Sequence, residues 1–206
     1  MKNNEALKKT YNRIAKDWGS DHSGDGWWIE GADKFLEFLP KGSSILDIGC
    51  GSGYKTAYIK EKGYTVEGCD FSEGMIELSK NNFPDINFEV FDIYDLDKLN
   101  KKFDGIFCQA VLLHIPKNDI FEILSNMKSL LNDSGYLYIA VKEKRDFEPE
   151  EEIKKENDYG YEYERYFSYF TVNELSDYFN KLNMEVVYRV SNGSSKRIWI
   201  NIIGKK

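Results

Sequence analysis

Ile45-Leu46-Asp47-Ile48-Gly49-Cys50-Gly51-Ser52-Gly53 is a short apolar run that ends in three glycines at alternate positions. Glycine tolerates positive φ and has no Cβ, so a strand entering G-x-G-x-G ahead of a helix reads as a turn that lets a ligand approach the backbone. A tight turn without a ligand needs one such glycine; here there are three, with Asp47 two positions ahead of the first. The spacing also bears on the ligand. A dinucleotide fingerprint is G-x-G-x-x-G, and its third glycine falls on Tyr54 counted from Gly49 and on Thr56 counted from Gly51. Both frames fail, which disfavours a pyrophosphate cradle and an NAD(P)-dependent oxidoreductase. Further on, Val66-Glu67-Gly68-Cys69-Asp70 reads as a second strand ending in a carboxylate able to accept hydrogen bonds from ribose hydroxyls. Ser72 is the better cap for the next helix, which leaves Asp70 free.

Outward from this turn the pattern alternates. Helices are predicted over 54–62, 72–82, 117–131 and 171–182, and strands over 64–70, 86–91, 103–108, 136–142, 184–191 and 197–203. Strands separated by helices imply parallel neighbours with right-handed crossovers and a ligand site at the carboxyl ends. The last two strands flank a short turn around Asn192-Gly193-Ser194 and must be antiparallel. The expected fold is α/β: a Rossmann-like, doubly wound, mostly parallel sheet with an antiparallel terminal hairpin.

Two further stretches follow in order: Asn87-Phe88-Glu89-Val90-Phe91-Asp92-Ile93, and Phe103-Asp104-Gly105-Ile106-Phe107-Cys108-Gln109-Ala110-Val111-Leu112-Leu113-His114-Ile115-Pro116. With the first two motifs they resemble the class I S-adenosylmethionine-dependent methyltransferases of the small single-domain kind, over about residues 41 to 144. The resemblance implies seven strands and S-adenosyl-L-methionine as cofactor, with S-adenosyl-L-homocysteine as product. It implies that Asp47, Gly49, Gly51 and Gly53 hold the cofactor, with Asp70, Phe71 and Met75, then Asp92 and Ile93 near the adenine, and Gln109 under the methionine part. It also implies a small-molecule acceptor taking the methyl group on O, N or S.

Length and charge agree with that class. A chain of 206 residues suits one α/β domain: a segment 1–40 closing over the cofactor, a core 41–144, a substrate-side insert 145–170 and a terminal part 171–206. The net charge of -7 disfavours a nucleic-acid partner, whose phosphates need clustered Lys and Arg. Cys50, Cys69 and Cys108 form no disulfide framework, and no C-x-x-C or His cluster suggests a metal. Without a signal sequence or an apolar run of about 18 residues, a soluble cytoplasmic protein, monomer or homodimer, is expected.

Tyr11, Ile14, Ala15 and Trp18 lie at i, i+3, i+4 and i+7 and define one face of a helix that could simply pack on the sheet. By the resemblance, this helix closes over the cofactor, with Tyr11 and Trp18 among its contacts. Ser20 to Trp28 is too polar and glycine-rich for regular structure and reads as a site-closing segment, with Trp28 on the substrate side. The insert from Arg145 to Phe170 holds nine acidic and four basic residues and a dense set of aromatics. Pro149 to Lys155 suits a solvated face, whereas the aromatics need something to cover. An acidic and aromatic lining would suit a cationic or aromatic acceptor, and Tyr163, Arg165 and Tyr166 are the substrate-side candidates.

Methyl transfer rests mainly on positioning, worth about 7 to 11 kcal/mol in well-oriented cases, so a base is optional. His114 is the candidate catalytic base, since imidazole titrates near neutral pH, although its motif is also compatible with orienting a loop. His22 reads as a surface histidine. A protein that binds the cofactor without transferring methyl is the alternative from another functional class.

Overall fold

In the computed structural model, residues 2–194 and 197–206 are described. A seven-stranded sheet is formed by β1 (Ser44–Ile48), β2 (Thr65–Asp70), β3 (Asn87–Val90), β4 (Phe103–Gln109), β5 (Leu131–Lys142), β8 (Glu185–Ser194) and β9 (Arg197–Lys205). Its order is β3-β2-β1-β4-β5-β9-β8. β1 pairs in parallel with both β2 and β4, so the winding reverses direction there and opens a crevice at the carboxyl ends of β1 and β4. β9 is antiparallel to both β5 and β8, as expected of the terminal hairpin.

Period-two alternation sorts the strand side chains onto two faces. Leu46, Ile106, Cys108, Leu137, Ile139, Ile200 and Ile202 face one core, which is covered by α5 (Ile120–Leu130) and α6 (Val172–Lys181). Ile45, Phe107, Tyr138, Ala140 and Ile203 face the other, with Phe35 and Leu36 of α2 (Ile29–Leu36) and Ile59 of α3 (Tyr54–Glu61). Each residue of a central strand therefore serves one layer or the other. Asn201 falls on the second face too, where its Oδ1 accepts from the buried Tyr138 hydroxyl at 2.6 Å.

Helix ends follow local chemistry. The Ser72 Oγ caps α4 (Glu73–Asn82) by accepting from Met75 N, as its position predicts. Thr171 and Glu174 form a reciprocal capping box on α6. The helix predicted over 117–131 begins instead as a 3₁₀ turn, Lys117–Asp119, followed by α5.

Several expectations are corrected. α1 (Lys2–Asp21) carries helix through Ser20 and Asp21, and α2 lies where no element was expected. The insert contains an antiparallel hairpin, β6 (Glu151–Glu156) and β7 (Tyr163–Ser168). Asn192, Gly193 and Ser194 are strand rather than turn, in register with Trp199, Ile198 and Arg197, and the link at 195–196 lies outside the described residues.

Candidate functional site

A cavity opens at the carboxyl ends of β1, β2 and β4, roofed by α1 and the segment that follows it. At its floor the glycine turn takes left-handed backbone, with φ of 73° at Gly49 and 54° at Gly51. A Cβ at Gly49 would collide with Val111, and one at Gly51 would stand 3.4 Å from the Trp18 ring. The absence of side chains thus lets the β4 loop and α1 close in on this turn. Ala110, also in the wall, holds φ of 60° without being glycine, a strained conformation of the kind found at functional sites.

Asp70 ends β2 at the cavity wall. Its Oδ2 accepts from Gly51 N at 3.1 Å and its Oδ1 from Ser72 N at 2.9 Å. Burial pushes the carboxyl up to about 6, against the pull of those two N–H groups. Asp47 is likewise raised to about 6 by burial; its Oδ2 accepts from the Thr56 hydroxyl at 2.6 Å. Gln109 ends β4 in the same wall with both amide heteroatoms buried and unpartnered, a costly state that a ligand's polar groups would relieve.

A second network joins α1 to the loop after β4. The Tyr166 carbonyl can only accept, so His114 Nδ1 carries the proton it donates there at 2.7 Å. His114 Nε2 then holds a lone pair and accepts from the Tyr11 hydroxyl at 2.8 Å. Burial drives the imidazole pKa down to about 3, so the ring is neutral. Arg165 Nη1 donates to the Tyr11 oxygen at 3.4 Å, while its other nitrogens form a bidentate pair with Glu156.

A family model described as a methyltransferase domain matches residues 21–189, most of the chain. The chain belongs to this methyltransferase-domain family. Among relatives, it is 34% identical over 105 residues to the ubiquinone biosynthesis O-methyltransferase of Coxiella burnetii, an alignment covering 49% of this chain and 44% of that enzyme. The match thus spans less than half of that relative's length. Among solved structures, it resembles an S-adenosylmethionine-dependent methyltransferase of Methanosarcina mazei at 22% identity and TM-score 0.73, covering 84% of this chain and 96% of that one. It also resembles the 1,6-didemethyltoxoflavin-N1-methyltransferase of Burkholderia thailandensis, solved with its substrate and S-adenosylhomocysteine, at 18% identity and TM-score 0.75 over 98% and 88% of the two chains. At such identities these structures establish the Rossmann-like methyltransferase fold.

Within this methyltransferase fold, Tyr11, Trp18, Gly49, Gly51, Asp70, Phe71, Met75, Ile93 and Gln109 line the cavity, with His114 and Trp28. Asp47, Gly53 and Asp92 stand outside its wall. Asp92 instead accepts from Asn4 Nδ2 at 2.7 Å and caps the 3₁₀ turn Ile93–Lys98. Tyr163, Arg165 and Tyr166, the substrate-side candidates, are also outside it, although Arg165 and the Tyr166 carbonyl reach the wall residues Tyr11 and His114. Six of the insert's nine acids pair with cations or phenols: Glu156 with Arg165, Asp158 with Tyr163, Glu151 with Tyr166, Glu152 with Tyr169, Glu148 with Arg197 and Glu164 with Lys155. The alternate residues of β6 turn inward, so the expected solvated face is only half solvated.

Sequence reasoning missed Lys55, held Asp25 and Trp27 only as part of the site-closing segment Ser20 to Trp28, and took His22 for a surface residue; all four line the cavity. His22 stacks on Trp18 with ring centroids 4.1 Å apart, and Trp27 stacks on Trp199 at 4.4 Å. Lys55 directly follows Tyr54, the first residue of α3, so proximity to the glycine turn was the available signal. Burial lowers its ammonium pKa, opposed chiefly by Asp47.

Proposed function

We propose that this chain is an S-adenosylmethionine-dependent methyltransferase, working as one domain, that transfers a methyl group to an O, N or S atom of a small-molecule acceptor. The observation that carries the reading is Asp70, an anionic acceptor fixed by Gly51 and Ser72 N–H beside a turn that has no Cβ in the way. The donor set fits the cofactor: Asp70 would take the ribose hydroxyls, Met75 and Ile93 would flank the adenine, and Gln109 would meet polar atoms that it otherwise lacks. When bound, the sulfonium supplies the electrophilic methyl group. The protein's own part is to position and to exclude water. Trp18 and Tyr11 of α1 cover the glycine turn and the β4 loop, and Lys55 brings a cation to the same wall.

His114 enters this reading as a neutral ring. Its Nε2 can receive a proton from an acceptor only if the acceptor's O–H or N–H displaces the Tyr11 hydroxyl. Otherwise it positions Tyr11 and leaves deprotonation to solvent. The relatives named for ubiquinone biosynthesis and for 1,6-didemethyltoxoflavin support a small-molecule acceptor. The buried free thiols of Cys50, Cys69 and Cys108 suit a reducing cytoplasm.

Calorimetric titration with S-adenosylmethionine, S-adenosylhomocysteine and NAD tests the reading. Micromolar binding of the first two and none of NAD is expected, with Asp70→Ala weakening it by about 1 to 3 kcal/mol for lost charged hydrogen bonds. Binding of NAD alone would overturn it. The engaged state of His114 Nε2 also favours, as a second reading, a protein that binds the cofactor without turnover. Release of radiolabelled methyl onto any member of a phenol, amine and thiol panel would eliminate that alternative.

A further inference from the structure

Lys142 closes β5 and stands directly opposite Trp199 of β9 in the sheet register. Directly opposed residues of an antiparallel pair project on the same face. Trp199 stacks on Trp27 of the cavity wall, and Ala110 of the same wall packs against the Leu113-Phe167-Tyr169 cluster. The Lys142 ammonium sits 4.0 Å above the Phe167 ring. Lys142 therefore stands half-buried outside the cavity lining, one side chain behind its wall on two sides.

Three more cations converge there. Lys154 lies over both Phe167 and Tyr169, Arg165 over Phe167 and Arg197 over Tyr169, at 5.2 to 5.7 Å from the ring centroids. Each of these three has its own carboxylate: Glu152 at 3.2 Å from Lys154, Glu156 at 2.5 Å from Arg165 and Glu148 at 3.0 Å from Arg197. Among the described residues, Lys142 has neither an ion pair nor a hydrogen bond at its ammonium. Burial and the repulsion of Arg197, Arg165 and Lys154, partly offset by Glu156, bring its pKa down to about 7. A partly desolvated cation among other cations is missing a counter-charge.

We propose that this place behind the cavity wall is an anion subsite, in which Lys142 pairs with a carboxylate or similar monoanionic group that the methyl acceptor extends past Trp27 and Ala110. The proposal rests on the methyltransferase reading and adds the acceptor's charge to it. It also departs from the charge preference expected from composition: six of the insert's nine acids already face cations or phenols, and Lys142, the cation without a carboxylate, lies just before the insert at the end of β5.

Three ring compounds of nearly the same shape make the test: benzoate, benzamide and benzamidine, each titrated by calorimetry into protein saturated with S-adenosylhomocysteine. Benzoate is expected to bind the native protein and Lys142→Arg, and to bind Lys142→Met at least tenfold more weakly. It should also weaken as pH rises above about 7, when Lys142 loses its proton. Benzamide and benzamidine should not bind. Equal affinity for benzoate and benzamide, equal affinity in native and Lys142→Met proteins, or no benzoate binding at all would overturn the subsite. S-adenosylhomocysteine binding is measured separately on each variant and reports whether the site is intact. If it fails on native protein, the methyltransferase reading falls, and the benzoate series on unloaded protein still decides the anion site.

Discussion

The Tyr11 hydroxyl donates to His114 Nε2 across 2.8 Å, tying the N-terminal helix to the loop that follows the fourth strand. Because Nδ1–H is committed to the Tyr166 carbonyl, the same ring also holds the β6–β7 hairpin. One neutral imidazole thus links three segments that are remote in sequence.

The first expectation is spectroscopic. His114 should stay neutral, as the Nδ1–H tautomer, from pH 8 down to pH 5, since its pKa is held at about 3. Nitrogen-15 shifts of the ring, assigned by loss of the signals in His114→Gln, would show this directly. A titration near pH 6.5 would mean that the ring is solvated. Since the unfolded ring takes up a proton near 6.5 and the folded one does not, His114 costs stability as pH falls through that window. His114→Gln removes this slope.

Asp70 has the opposite sign. Its folded pKa is raised to about 6, so between about pH 4 and 6 the folded state binds the extra proton and ligand-free stability falls as pH rises. Asp47, also near 6, adds to the same window. Urea unfolding at pH 4.5 and 7 should show Asp70→Asn gaining at pH 7, by at most about 2 to 3 kcal/mol. Binding behaves in reverse: S-adenosylhomocysteine should bind the native protein more weakly below pH 6, and Asp70→Asn weakly at every pH. An unchanged profile in the variant would remove Asp70 from the site.

Gly49 and Val111 make a geometric prediction. Gly49→Ala adds both a left-handed alanine and a collision with Val111, together costing about 2 kcal/mol or more. Val111→Ala relieves only the collision. The double variant should therefore be less destabilised than the sum of the two single variants, by denaturant titration. Strict additivity would show that the two residues do not meet.

α1 docks through Asn12, whose Oδ1 accepts from Ser72 Oγ at 2.6 Å and Gly74 N at 3.1 Å. Asn12→Ala leaves the Gly74 donor to water and should speed amide exchange across residues 5–18, with a loss of about 1 kcal/mol. Exchange limited to global unfolding in both proteins would contradict this role.

The glycine turn, the carboxylate at Asp70, the Ser72 cap and the parallel order of the core were legible because each depends on neighbours within a few residues: a positive φ, a cap, a period of two. The hairpin in the insert was not. β6 reads Glu-Glu-Ile-Lys-Lys-Glu, a charged strand whose inward half becomes intelligible only beside the Arg165 and Tyr163 of its partner. The pairing inside the insert was hidden for the same reason, since composition counts acids without showing which are already paired.

What the chain's order of residues determined alone was local geometry and its consequences: where backbone can be approached, where helices begin, and on which end of the sheet a ligand must lie. Tertiary structure decided which charges are left without partners. Gln109 is singled out in the sequence only by the family resemblance and Lys142 not at all; folding buries the Gln109 amide with no protein partner and leaves Lys142 half-buried over the Phe167 ring without a carboxylate of its own.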